Sequence, residues 1–108
     1  MTNNTVKKIS ILAIIVIASI FFSFPAKADK YCKEVAEVAK ITMIARQTGV
    51  SIVETLQTVQ GTKEQQELLT EIIIMAYNTP RYLGKKAQNR SITEFENMVY
   101  LTCIKTRV

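Results

Sequence analysis

Apolar positions change their period once along the chain. From Ile9 to Phe22 the sequence ISILAIIVIASIFF is an unbroken run of apolar and small residues. From Asp29 onward apolar residues recur every three to four positions, the repeat that lines one face of an α-helix. Cys32, Val35, Ala36, Ala39 and Met43 form the first such stripe, with Asp29 placed as N-cap and Gly49, after Arg46, as the C-terminal stop. Ser51 with Glu54 three residues on is a capping-box pattern. It opens a second segment with Ile52, Leu56 and Val59 on one face, closed by Gly61. Thr62 with Gln65 repeats the device ahead of Leu68, Leu69, Ile72, Ile73 and Ala76, the strongest stripe, which Pro80 bounds. Ser91 with Glu94 offers another box ahead of Ile92, Phe95, Val99 and Cys103. KKAQNR, just before it, contains good helix formers, so this last helix alternatively starts near Lys85. The β-branched EIIIM sits inside a longer helical period. The expectation is an all-α fold, a small bundle of about four helices with no sheet, whose first and last helices lie side by side.

The leading run has a different meaning. Met1 to Lys8 is polar and holds Lys7 and Lys8 without an acid, Pro25 follows the apolar run, and Ala26-Lys27-Ala28 is a small-x-small triplet. Basic n-region, apolar h-region and A-x-A are the parts of a secretory signal peptide. The rival is an uncleaved anchor, but a spanning helix needs about 20 apolar residues, and this run is shorter. No Cys stands at the junction, as a lipoprotein would require, and no twin-Arg pair precedes the run. Residues 1–28 are therefore expected to be a signal peptide cleaved after Ala28, and 29–108 a helical domain. The protein is expected to be exported, periplasmic or secreted, touching the membrane only transiently through the signal.

Cleavage changes the charge. Of the 14 basic residues, Lys7, Lys8 and Lys27 fall within 1–28 and none of the nine acids does, so 29–108 carries 11 basic against nine acidic residues, net +2 rather than +5. That balance gives no electrostatic case for nucleic acid. Both cysteines remain, Cys32 and Cys103, and in an oxidising compartment an even pair reads as a disulfide. A redox pair usually takes the form C-x-x-C, and zinc needs more ligands than two distant cysteines. A bridge closing so long a loop is valued at roughly 4 kcal/mol by chain entropy, comparable to the net stability of a small domain.

The chain has no histidine and no tryptophan, which removes Ser-His-Asp and Cys-His machinery. No Gly-rich phosphate loop or calcium loop is present, and no metal or cofactor is expected. Glu64, Glu67 and Glu71 share one helix face. A carboxylate hydrolase would need one such group buried, and a solvated face is the simpler reading. Two stretches stand out: ARQTG (45–49) and AYNTPRYLG (76–84). Tyr and Arg are over-represented at binding hot spots, and Tyr77, Arg81, Tyr82 and Lys85 are the candidate partner-binding residues. The structural alternative packs Tyr77 in the core and uses Arg81 to cap the carbonyls of the preceding helix.

The motifs C-x6-A at Cys32 to Ala39, M-x-x-R-Q-x-G at Met43 to Gly49, A-Y-x-x-P-x-Y at Ala76 to Tyr82 and F-x4-Y-x2-C at Phe95 to Cys103 span most of 29–108. In them the chain resembles small exported helical proteins of phage, prophage and Gram-negative genomes. In architecture alone it is similar to phage periplasmic lysozyme inhibitors such as Spackle, a likeness that implies a class of function and nothing finer. The expected function is a non-enzymatic periplasmic binding protein, an inhibitor or accessory factor acting on another envelope protein. The alternative is a structural or stress-related periplasmic module, including a homodimer.

Overall fold

A computed structural model describes the backbone of residues 24–107 and the side chains of 29–106; residues 1–23, the greater part of the expected signal peptide, lie outside the described residues. The chain forms α1 (Phe24–Gln47), α2 (Ile52–Leu56), α3 (Lys63–Tyr77) and α4 (Lys85–Arg107), with no strand among the described residues. The all-helical expectation holds.

α1 packs along α4 and, over a shorter length, along α3, while the small α2 leans on α3. The core repeats one spacing in each long helix: Val35, Ala39 and Met43 of α1, Ile72 and Ala76 of α3, Phe95 and Val99 of α4. Residues four apart on a helix stack on one face, so the three ladders interdigitate. Ala39 and Ala76, both fully buried, let the backbones approach closely at the centre. Leu68, Tyr77, Ile92 and Cys103 flank this cluster. The expected bridge is present: Cys32 and Cys103 are disulfide-bonded with their Cα atoms 5.6 Å apart, tying the N-terminal part of α1 to the C-terminal part of α4.

Three local expectations are corrected. Asp29 is not an N-cap, because α1 already begins at Phe24. Asp29 instead accepts a hydrogen bond from the Tyr100 hydroxyl and pairs with Lys33 one turn on, Nζ to Oδ2 3.3 Å. Ser91 does not open α4. The helix starts at Lys85, with the Gln88 amide donating to the Gly84 carbonyl (2.9 Å), and Ser91 is buried inside it. The second segment ends at Leu56 rather than running to Gly61. Threonine hydroxyls there bond backward to local carbonyls, Thr55 to Ser51 (2.9 Å) and Thr58 to Thr55 (2.7 Å), a competition that weakens helix continuation.

Ser51 and Thr62 both cap as expected, Ser51 by the forward bond of the box alone. Ser51 Oγ accepts from the Glu54 amide at 3.1 Å. Thr62 and Gln65 form the full reciprocal box, with bonds of 3.1 and 2.9 Å. Gly49, at φ +94°, ends α1 in the left-handed region that favours glycine.

Candidate functional site

The two segments singled out in the sequence meet. The C-terminal end of α1 (Arg46 to Gly49) and the loop from Asn78 to Gly84, which joins α3 to α4, are bonded to each other through long-range side-chain contacts.

Gln47 is the hinge pin of this contact. Its side chain is fully buried. Its Nε2 donates to the Pro80 carbonyl at 2.8 Å, and its Oε1 accepts from the Tyr82 amide at 2.8 Å. Both ends of one amide are thus matched to one donor and one acceptor of the loop, which fixes the amide's orientation. Arg46 Nε donates to the Thr79 carbonyl at 2.9 Å, and Gln88 Nε2 of α4 donates to the Tyr82 carbonyl at 2.6 Å. The carbonyls of 79, 80 and 82 and the amide of 82 all find partners in side chains of neighbouring helices. The loop has no regular structure of its own, yet it is braced at four backbone atoms.

The bracing works in the other direction too. A helix leaves its last four carbonyls without intrahelical partners. At α1 the Ala45 and Arg46 carbonyls accept from Val50 N (3.0 Å) and Gly49 N (3.3 Å), the paired bonds of a Schellman end. The Gln47 carbonyl accepts from Arg81 Nε at 3.1 Å, so Arg81 caps α1 and not the preceding helix α3 that the sequence suggested. A guanidinium placed there also complements the negative end of the helix dipole. The Arg81 side chain lies over Gly49, where a Cβ would sit 3.1 Å from Nη2, so φ favours the glycine and a side chain there would also push the Arg81 tip aside.

Tyr77 is half-buried against the core. Its hydroxyl donates to the Val50 carbonyl at 2.6 Å and lies 2.9 Å from Thr55 Oγ1, tying α3 to α2. The Arg46 guanidinium sits 5.4 Å from the centre of its ring, within cation–π range. The other three candidates are exposed: Arg81, Tyr82 and Lys85, the last opening α4. Leu83, at the loop tip, is 95% exposed; the sequence reading did not single it out. Beside the loop a shallow concavity of about 280 Å³ runs onto α4, with Tyr82, Met98 and Phe95 in its walls and Arg90 and Glu94 at hand.

Glu64, Glu67 and Glu71 are exposed on α3. The buried polar residues among those described are Thr42, Gln47 and Ser91, none of them a carboxylate. Among the described residues no group of three or more His, Cys, Asp and Glu is placed to hold a metal ion, and no helix is long and apolar enough to cross a membrane. No family model, no curated protein and no solved structure matches this chain.

Proposed function

We propose that this chain is an exported, non-enzymatic binding protein of the periplasm that acts on another envelope protein as an inhibitor or accessory factor. The observation that carries the reading is Leu83, almost fully exposed at the tip of a loop whose backbone is held on both sides. A large apolar side chain in water gains free energy when a partner covers it, by roughly 1.5–3 kcal/mol for full burial. A loop already ordered before binding loses little conformational entropy on docking. Tyr82 and the groove toward Met98 supply an amphipathic surround of the kind that flanks interface anchors. Arg81 and Lys85 add positive charge suited to an acidic partner surface. Export rests on residues 1–28, with cleavage after Ala28. The Cys32–Cys103 disulfide is compatible with an oxidising compartment.

The test compares wild type with Leu83→Asp as bait in periplasmic extract. A protein retained by wild type and lost with the variant, at unchanged thermal midpoint, supports the reading; equal capture by both overturns it. The alternative, a structural module that pairs with itself, draws on Ile41 and Ile44, three apart on α1 and 58% and 38% exposed. A concentration-independent monomer mass in light scattering excludes it.

A further inference from the structure

The outer side of the α1–loop junction holds a second, larger concavity of about 520 Å³. Two of its lining residues are Arg46 and Arg81, and no aspartate or glutamate lines it. Neither guanidinium forms an ion pair among the described residues, where the recorded pair is Lys33 with Asp29. Each arginine makes one hydrogen bond, from Nε to a backbone carbonyl, Arg46 to Thr79 and Arg81 to Gln47, and Arg46 also lies over the Tyr77 ring. A guanidinium has five N–H donors, so each keeps its four Nη hydrogens while the Nε bond fixes where the group sits. An anion entering this pocket meets two cationic side chains that no carboxylate of its lining neutralises. The rest of the wall is partly apolar, contributed by Val50, Ile52 and Ile74, while the Tyr77 hydroxyl is already engaged with Val50.

We infer that this pocket binds an organic carboxylate bearing an apolar group beside the carboxyl, the carboxylate on Arg46 and Arg81 and the apolar group on Ile52 and Ile74. Guanidinium and carboxylate match in planar, two-pronged geometry. The apolar wall separates this chemistry from that of inorganic phosphate, a compact hydrated anion that would leave Ile52 and Ile74 wet and fill little of the volume. The same chemistry has two sources, the terminal α-carboxylate of a protein chain ending in an apolar residue and a free small carboxylic acid. The inference does not depend on the docking of Leu83. Leu83→Asp leaves carboxylate binding intact, so the two readings fail separately.

The experiment is a titration followed by amide chemical shifts of residues 46–52 and 74–81 in the oxidised protein. The probes are N-acetyl-leucine, its C-terminal amide, inorganic phosphate, and a pentapeptide ending in leucine with a free carboxylate. The expected result is saturable shifts with N-acetyl-leucine at roughly millimolar affinity, the scale for a small acid in an open pocket, weakening as salt rises, with no saturation by the amide and weaker binding of phosphate. Tighter binding of the pentapeptide than of N-acetyl-leucine assigns the site to a chain terminus and equal affinities assign it to a small acid, both within the proposed chemistry. Arg46→Gln and Arg81→Gln are each expected to weaken binding about tenfold, the effect of losing one hydrogen-bonded charge. Because Arg81 also caps α1 and Arg46 also braces the loop at Thr79, Ile74→Asp serves as the second variant. It removes neither arginine and sets a carboxylate of the chain itself beside them, which competes with the ligand for the two guanidiniums, so it is expected to abolish binding at unchanged thermal midpoint. Equal binding of the amide, equal or tighter binding of phosphate, absence of saturable shifts, or wild-type affinity in Ile74→Asp overturns the assignment.

Discussion

Replacing Gln47 with leucine keeps most of the buried volume and removes both hydrogen-bonding ends of the side chain. The wild-type amide satisfies the Pro80 carbonyl and the Tyr82 amide, each at 2.8 Å, from a fully buried position. In Gln47→Leu those two groups face a hydrocarbon. A buried backbone group left without a partner costs about 1–3 kcal/mol. Pro80 and Tyr82 are exposed, so the loop can lift to let water in, which puts each loss at the low end. The expected destabilisation is about 2–3 kcal/mol, a large share of the 5–15 kcal/mol typical of a domain. For a domain of this size that corresponds to a fall of about 10–20 °C in thermal midpoint. Far-ultraviolet dichroism on heating measures it. Amide exchange localises it: Tyr82 N–H is expected to lose protection while Ile72 and Val99 in the core keep theirs in proportion to global stability. Gln47→Glu is the informative partner. It keeps an acceptor for the Tyr82 amide but sets a second acceptor against the Pro80 carbonyl, and it buries a charge. Protonating the glutamate restores a donor, so the folded state binds the proton more tightly than the unfolded state does. Its stability is then expected to rise on acidification and fall as pH increases. If Gln47→Leu loses less than 0.5 kcal/mol, roughly the scatter of neutral surface changes, and Tyr82 exchanges as in wild type, Gln47 is not the brace and the loop owes its order to something else.

Replacing Cys32 and Cys103 together with serine removes a cross-link spanning 71 residues and is expected to cost roughly 4 kcal/mol, read as the shift in urea midpoint between the variant and oxidised wild type. Hydrogen bonding from Tyr100 and then from Lys33 holds the Asp29 carboxyl below its ordinary value, and the same contact with Asp29 raises the Tyr100 hydroxyl above its own. Stability from a lowered carboxyl is present above its unfolded value, near pH 4, and is lost as pH falls through the folded one; Asp29→Asn is therefore expected to flatten the acid limb of the stability–pH curve, and a limb identical to wild type would refute the link. Gly49→Ala forces a side chain into the left-handed region and against Arg81 Nη2; a loss of about 1–2 kcal/mol is expected in denaturant titration.

Much of the fold was legible because helical burial is periodic. All five residues of the first stripe, Cys32, Val35, Ala36, Ala39 and Met43, are in the core, and the Thr62–Gln65 box forms as the pattern predicts. The same S-x-x-E pattern was informative at Ser51 and misleading at Ser91. A box signals a start only where the preceding residues are not already helical, and KKAQNR continues α4 upstream of Ser91. Asp29 failed as a cap for the same reason, with helix already present before it. The candidate site was half legible. Its two segments were visible for their Tyr, Arg, Pro and Gly content, but the bonds that join them run between residues 33 to 35 positions apart. Such pairings follow no period, so no local pattern announces that Gln47 reads Pro80 and Tyr82. Leu83 escaped because an apolar residue carries no mark of exposure; only the course of the braced loop places it in solvent.

The two ends of α1 are secured by different chemistry, and this bears on where function lies. Cys32 and Gln47 are 15 residues apart, about 22 Å along a helix. The Cys32 end is held by a covalent bond to α4 and by Asp29 on Tyr100, within one turn of each other. The Gln47 end has no covalent tie and is held by hydrogen bonds, the Arg46–Tyr77 contact and the core packing of Met43. Cleavage after Ala28 would make Asp29 the first residue of α1, placing its carboxylate at the positive end of the helix dipole as well as on Tyr100. The disulfide acts chiefly on the unfolded chain. It raises the stability of the whole domain without freezing any one loop. The hydrogen-bonded end can therefore place polar groups near a surface where a partner or ligand competes for them, at a cost in local order that the distant cross-link offsets. In that arrangement reduction lowers global stability first, while the geometry of residues 78–84 survives as long as the fold does. Binding measured in reduced but still folded protein should then match the oxidised form, and a loss of binding ahead of unfolding would place the bridge in the site rather than behind it.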